Sequence, residues 1–308
     1  MILLSIVIPC LNEEEYIQHC LESIIKQNEF QRGKVEIIVV NGGSTDNSKN
    51  IVASFTQQYS NARLINTSDN GLSMARNIGL FHSNGEYVMF VDADDWIDCD
   101  CLSDIISLAL NNQPDIIIGL IEGIPEKDIT KEYKDPDITS FGLNENTPNF
   151  LVELHTLGMK IAPSVKYIFK KTIAIDNQLL FPNVLHEDQF WSPVLLCYAQ
   201  THKLYPKYFY KYRLKNDGLS SNTSLSVAND YLVIANKLSS TADSFQKEKR
   251  QFLYHRCNYL LNKIHNFALK YTQEEKVILG QLMNKYDTMI FSFESYTLQN
   301  EKKNNETS

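Results

Sequence analysis

The stretch FVDADDW runs an apolar segment straight into three carboxylates, Asp92, Asp94 and Asp95. Alternation along an extended chain puts Asp92 and Asp94 on one side, with Ala93 between them. Carboxylates so placed suit a hard divalent cation such as magnesium or manganese, which commonly shares them with substrate phosphates. The plainer reading is a solvated acidic turn that caps the next helix. VVNGGSTDNS supplies a second site: Asn41, Gly43 and Ser44 lie in a glycine-bearing turn where the backbone can approach a ligand closely. A tight turn followed by a helix cap explains much of the same pattern. Arg76, in NGLSMARNIG, can clamp a phosphate through two parallel hydrogen bonds, although a lone helix arginine is more often simply exposed. In LHEDQFW, Glu187 and Asp188 adjoin aromatic surface that can tune a general base, or else they form an acidic first helical turn. Arg213, in YFYKYRLKNDGLSS, could fold over a diphosphate or belong to a lysine-protected sheet edge.

The elements that would position these residues are readable from periodicity. LLSIVIPC is a buried strand closed by Pro9. Asn12 is an N-cap candidate for the helix EEEYIQHCLESIIKQ, in which Glu13 begins an acidic first turn. VEIIVV and ARLINT are further strands, separated by the helix NSKNIVASFTQQY. GLSMARNIGLFHSN reads as a helix, YVMFV as a strand, CLSDIISLALNN as a helix and PDIIIGLIEG as a strand. This alternation predicts an α/β fold with a Rossmann-like, mostly parallel sheet flanked by helices. Ligands in such sheets bind beyond the carboxyl ends of the strands, where Pro9–Glu13, Asn41–Asp46 and Asp92–Asp95 all fall. Residues 124–148 read as a long loop. KLYPKYFYKYRLK reads as a strand or hairpin. The sequence divides into a catalytic domain over 1–225, with halves at 1–104 and 105–225, a helical region over 226–297, and a disordered tail over 298–308.

Composition narrows the partners. The chain has 308 residues and a formal net charge of −8. That charge gives no electrostatic help on nucleic acid, so an anionic ligand must be met locally by a metal ion or a few arginines. The six cysteines form no CxxC pair and the seven histidines no HxxxH pair, which disfavours a zinc site and suits a reducing compartment. Neither GxGxxG nor GxxxxGK[ST] occurs. MILLSIVIPCLNEEE lacks the basic and apolar regions of a signal peptide, and no run reaches the roughly 20 apolar residues of a membrane span. A cytoplasmic enzyme is expected. Basic and aromatic residues in HKLYPKYFYKYRLK and KEKRQFLYHRCNYLLNK allow at most peripheral contact with the inner membrane face or, through the C-terminal helices, a homo-oligomer.

In order along the chain, IPCLNEE, EIIVVNGGSTDNS, ARNIG and GEYVMFVDADDW resemble the motifs of the large family 2 of glycosyltransferases. The close match covers about residues 3 to 104. A second block, KYIFKK…LLFPNVLHEDQFW followed by YFYKYR, is similar to the acceptor-side half of capsule, lipopolysaccharide and exopolysaccharide enzymes of that family. The resemblance implies an inverting enzyme with the A-type glycosyltransferase fold. It would move a sugar, a hexose or N-acetylhexosamine, from a uridine-linked donor to a hydroxyl of a glycan or lipid-linked acceptor. Asp94 would ligate manganese or magnesium through the diphosphate, and Asp92 would contact the ribose or the metal. Arg76 and Arg213 would lie near the phosphates. Asp188, with Glu187, would be the base that takes the acceptor proton. One departure stands out: Asn41 and Gly42 replace the family's acidic pair, whose carboxylate holds the uracil imide. That change also motivates a rival reading, a catalytically inactive nucleotide-sugar or carbohydrate-binding protein. A nucleotidyltransferase is disfavoured because PCLNEEE is acidic where such enzymes carry a basic, glycine-rich loop.

Overall fold

The structure, a computed structural model, describes residues 1–68, 71–127, 129–130, 132–215 and 222–286. The chain forms two compact units. The first takes Met1–Asn183 and the chain from Glu187 through the last strand; the second takes Val184–His186 and the C-terminal helices.

The first unit begins with β1 (Leu4–Cys10), α1 (Ile17–Ile25), α2 (Asn28–Gln31), β2 (Val35–Asn41), α3 (Ser48–Thr56), β3 (Ala62–Asn66), α4 (Leu72–His82) and β4 (Tyr87–Phe90). It continues with β5 (Trp96–Ile97), α5 (Cys101–Asn112), β6 (Ile116–Pro125), α6 (Phe150–Thr156), β7 (Tyr167–Lys170), α7 (Lys171–Asp176), α8 (Asp188–Tyr198) and β8 (His202–Leu214). One sheet holds the strands in the order β3-β2-β1-β4-β7-β6-β8-β5. The half from β3 to β4 is parallel, as the alternating strand–helix sequence requires. β7 then runs antiparallel to both β4 and β6, β8 is parallel to β6, and β5 is antiparallel to β8. The sheet is therefore mixed: parallel from β3 to β4 and again between β6 and β8, with β7 and β5 antiparallel to their neighbours.

β1 and β2 are buried at every position, which is why they read as unbroken apolar runs rather than alternating ones. Gly85 comes so close to β1 that a Cβ there would lie 2.6 Å from the Ser5 nitrogen. KLYPKYFYKYRLK forms one 13-residue strand, β8, and not a hairpin. Its pairing with β6 shifts register around Leu120, where Pro206 withholds a donor from the ladder. The expected helix from Glu13 is shorter than its sequence suggests. α1 starts at Ile17, and Asn12 adopts a left-handed backbone, φ 55°, instead of capping it.

Beneath β4 lies an aromatic cluster. Trp191 of α8 stacks on Phe181 with ring centroids 4.3 Å apart and meets Phe90 and Phe169 edge-on at 5.6 and 5.1 Å. Its indole Nε1 donates to the Leu179 carbonyl at 3.3 Å. The insertion between β6 and α6 is fixed by a buried ion pair, Lys166 Nζ to Asp135 Oδ2 at 2.8 Å, with Asp135 also accepting from the Ile121 amide at 2.9 Å.

The second unit contains α9 (Leu225–Ala242), α10 (Lys247–Ala268) and α11 (Gln273–Asn284). α9 buries Val227, Tyr231, Leu232, Ile234 and Leu238, and α10 buries Phe252, Leu253, Leu260 and Ile264, the apolar stripes expected of packed helices. Thr272 and Glu275 close a reciprocal capping box at the start of α11. The predicted tail over 298–308 and the last part of the predicted helical region lie outside the described residues. Among the described residues no helix is long and apolar enough to cross a membrane.

Trp191 fills the space between α8 and the sheet, so its truncation leaves a cavity that close-packed neighbours cannot fill. Trp191→Ala is expected to lower unfolding free energy by about 3–5 kcal/mol, read as a reduced midpoint in urea denaturation.

Candidate active site

The carboxyl ends of β1, β2 and β4 hold the site. Beyond β1, the Asn12 backbone N–H donates to Ser44 Oγ at 3.0 Å, and Asn12 Oδ1 accepts from the Thr45 N–H at 2.8 Å. The Glu13 N–H donates to Ser48 Oγ at 2.8 Å, and the Glu14 N–H to Asp46 Oδ2 at 3.0 Å. The loops after β1 and β2 are thus sewn to each other through side chains. Pro9 and Asn41 lie in the paired strands beneath them, Pro9 opposite Val40 and Asn41 opposite Cys10. Asn41 is buried; its Nδ2 donates to Asn66 Oδ1 at 2.9 Å and its Oδ1 accepts from the Ser44 N–H at 3.1 Å. Gly43 takes φ 84°, a left-handed value that favours glycine.

The acidic turn is built differently from the expected alternation. β4 ends at Phe90 and the chain turns, with the Asp95 N–H donating to the Asp92 carbonyl at 3.1 Å. Asp92 and Asp94 stay partly open, with side chains 30% and 26% exposed, while Ala93 and Asp95 are buried. Tyr210 of β8 locks the turn: its hydroxyl donates to Asp95 Oδ2 at 2.6 Å and accepts from the Asp92 N–H at 3.1 Å. Burial, reinforced by Asp94 and Asp92, pushes the Asp95 carboxyl well above the usual carboxylate range.

Two arginines clasp this turn. Arg213 donates its backbone N–H to Asp95 Oδ1 and its Nε–H to the Asp94 carbonyl, both at 2.7 Å. Its guanidinium sits 4.7 Å from the Tyr16 ring centroid and 4.8 Å from that of Trp96. Arg76 is only 4% exposed. Its Nη2 donates to Asp92 Oδ1 at 2.7 Å and its Nη1 to Glu187 Oε1. Burial disfavours its charge, but Asp92 and Glu187 outweigh this and hold it protonated above its ordinary range. The Glu187 carboxyl is pushed up to about 7 by burial, against the pull of Arg76 and with a push from Asp188. Asp188, half-buried, starts α8 directly after Glu187. The arginine read from sequence as a phosphate clamp is therefore engaged by two carboxylates.

The remaining charges are Glu13 and Lys215. Burial, then the field of Asp94, raises the Glu13 carboxyl to about 7, and Lys215 opposes that rise. Lys215 Nζ lies 2.9 Å from Asp94 Oδ2 and 3.7 Å from Glu13 Oε2. Tyr210 and Lys215 were not singled out from the sequence, nor were Tyr16 and Trp96, the rings that flank Arg213. A signal for one of them existed: Lys211, Arg213 and Lys215 recur every second residue, which on an extended chain places three cations on one side.

Among the described residues, no group of three or more His, Cys, Asp or Glu side chains is arranged to hold a metal by itself. Asp92 and Asp94 supply two carboxylates, which suits a magnesium-like ion that takes one or two protein carboxylates and completes its shell with substrate phosphates.

Comparison with known proteins places this arrangement. Residues 5–162, half of the chain, match the model of "Glycosyl transferase family 2". The poly(ribitol-phosphate) beta-glucosyltransferase of Bacillus spizizenii is 30% identical over 70% of this chain and 33% of its own. The poly(ribitol-phosphate) beta-N-acetylglucosaminyltransferase TarS of Staphylococcus aureus is 24% identical over 90% of this chain and 48% of its own. The chain thus spans between a third and a half of the length of these relatives. Residues 1–349 of S. aureus TarS, solved with UDP-GlcNAc, superpose with a TM-score of 0.75 at 21% identity, covering 94% of this chain and 81% of that one. A mannosyltransferase of Pyrobaculum calidifontis, solved with GDP-Man and Mn2+, gives 0.57 at 15% identity, covering 96% and 83%. Since the match begins in β1 and runs past the acidic turn, the chain belongs to glycosyl transferase family 2 and has the A-type glycosyltransferase fold.

Proposed function

We propose that this chain carries out inverting transfer of a sugar from a uridine diphosphate sugar to a hydroxyl of a bacterial surface polymer. One observation carries the reading of the site. Arg76 joins Asp92 of the acidic turn to Glu187, the residue before Asp188, so the carboxylates assigned to the donor and to the acceptor are spanned by a single guanidinium. The names of the relatives support a polyol-phosphate polymer as acceptor and glucose or N-acetylglucosamine as the sugar.

In this reading the nucleotide lies over the sewn loops after β1 and β2, with Asn41, Ser44 and the Gly43 backbone facing it. The amide of Asn41 keeps a hydrogen-bonding role for the base, oriented by Asn66. Asp94 and Asp92 would hold a divalent cation with the diphosphate; such an ion neutralises charge growing on the leaving phosphate. Arg213 fixes the backbone that carries Asp94. Asp188 removes the proton from the attacking hydroxyl as its bond to the anomeric carbon forms. Glu187 and Arg76 keep Asp188 aimed at the donor. The anomeric carbon develops positive charge as in glycoside hydrolysis, but the nucleophile is an acceptor hydroxyl.

Nucleotide preference is tested by titrating nucleoside diphosphates calorimetrically in the presence of manganese. Uridine diphosphate is expected to bind tightest, and tighter binding of a guanosine or cytidine nucleotide would overturn the donor assignment. Asp94→Asn is expected to abolish most manganese-dependent uridine diphosphate binding while leaving the fold intact, because it removes a charged hard ligand. For the base, Asp188→Asn is expected to lower kcat by about 10²–10⁴ with donor affinity nearly unchanged. A parallel collapse of donor affinity would make Asp188 a donor ligand instead. The same measurements separate an enzyme from a binding protein, since the latter would show no turnover of any nucleotide sugar in the wild type. Arg76→Leu removes one side of a buried ion pair and is expected to cost about 3–5 kcal/mol of stability, read by urea denaturation.

A further inference from the structure

Lys215 is placed where a divalent ion would also be drawn. It follows β8 directly, and two residues earlier Arg213 is fixed by its N–H to Asp95 Oδ1 and its Nε–H to the Asp94 carbonyl, each at 2.7 Å. That clamp sets the origin from which the lysine stem reaches. The stem delivers Nζ to 2.9 Å from Asp94 Oδ2 and 3.7 Å from Glu13 Oε2, with the Tyr16 ring centroid 4.0 Å away. One cation therefore bridges a carboxylate after β1 and a carboxylate after β4.

The neighbouring carboxylate is managed differently. Asp92 gives an oxygen to Arg76, which is buried and held from its other side by Glu187, so that partner is enclosed in the interior. Lys215 is 27% exposed, meets Asp94 and Glu13 with its terminal ammonium, and sits on a stem with four rotatable bonds. Of the two cations it is the one able to leave. An ammonium and a divalent ion cannot both sit against one Asp94 carboxylate without strong mutual repulsion.

We infer that Lys215 is a tethered competitor for the cation position at Asp94, so that a divalent ion binds there only by displacing the lysine. The inference rests on the reading of Asp94 as a cation ligand. Its consequence is a bias against loading the ion alone. When the ion arrives with a diphosphate, the displaced ammonium has an anion to pair with; when the ion arrives alone, it has none. Lys215 is in this sense a specificity-determining residue that couples ion binding to donor binding.

The test is a titration of manganese alone, without nucleotide, followed by the loss of the free-ion electron paramagnetic resonance signal. Wild type is compared with Lys215→Met, Lys215→Arg and Lys207→Met. Lys207 pairs with Asp104, away from this cluster, and controls for the general loss of one positive charge. Lys215→Met is expected to bind manganese about three- to fivefold tighter than wild type, the effect of removing a partly exposed ion pair. Lys215→Arg and Lys207→Met are expected to stay within twofold of wild type. Unchanged or weaker binding in Lys215→Met, or equal tightening in Lys207→Met, overturns the competition. Absence of manganese binding in all four proteins also overturns it, and in that case the reading of Asp94 as a cation ligand fails as well.

Discussion

The guanidinium of Arg76 carries a full charge in a place nearly closed to water, and the candidate site is arranged around making that tolerable. A buried cation is costly unless its hydrogens and its charge are both answered. Asp92 and Glu187 answer them from two directions, one from the turn after β4 and one from the start of α8. Phe90 and Phe181 lie 6.0 and 5.4 Å from the guanidinium carbon, and the aromatic cluster around Trp191 backs them. The Nε–H meets no acceptor among the described residues, so the balance rests on those two carboxylates. Moving either element would strand a charge in the interior. Arg76 thus converts the packing of α4, β4 and α8 into a fixed relation between the acidic turn and the carboxylates at 187 and 188.

The rest of the acidic turn is held by the same logic at lower burial. Three aspartates within four residues repel one another unless each has a separate answer. Asp95 is taken inward and bound by Tyr210 and the Arg213 N–H. Asp92 is assigned to Arg76, and Asp94 to Lys215. β8 supplies two of these partners and Lys215, just after it, a third, which explains why a basic, tyrosine-rich segment more than a hundred residues away lies against the site. The loop after β1 adds one more carboxylate, Glu13, which shares Lys215, and it is joined to the loop after β2 by hydrogen bonds of Asn12, Ser44, Ser48 and Asp46.

Membership in glycosyl transferase family 2 fits this division of labour. The parallel half carries the joined loops after β1 and β2, and β8 and the start of α8 bring partners to the acidic turn. Shared fold at about one-fifth identity with TarS speaks to the scaffold alone.

Much of the N-terminal half was determined by the sequence alone. β1, β2 and β4 are short apolar runs buried on both faces, and their ends coincide with the residues that carry polar chemistry, so local pattern suffices to find both. The carboxylates Asp92, Asp94, Glu187 and Asp188 were legible for the same reason, as acidic residues adjoining buried segments. What the sequence did not decide is who answers each charge. Asn12 looks like a helix cap because a cap is a local interaction, yet its oxygen is used 33 residues away by Thr45. Arg76 looks like a free helix arginine because nothing nearby in the chain neutralises it; its partners lie 16 and 111 residues on. Asp92 and Asp94 were placed together by strand alternation, whereas a turn and the Tyr210 hydroxyl set their positions. Periodicity reports which face of an element is buried, because burial repeats along the chain. Ion pairing in an interior is set by desolvation and by distances across the fold, and only the tertiary structure brings those partners within reach.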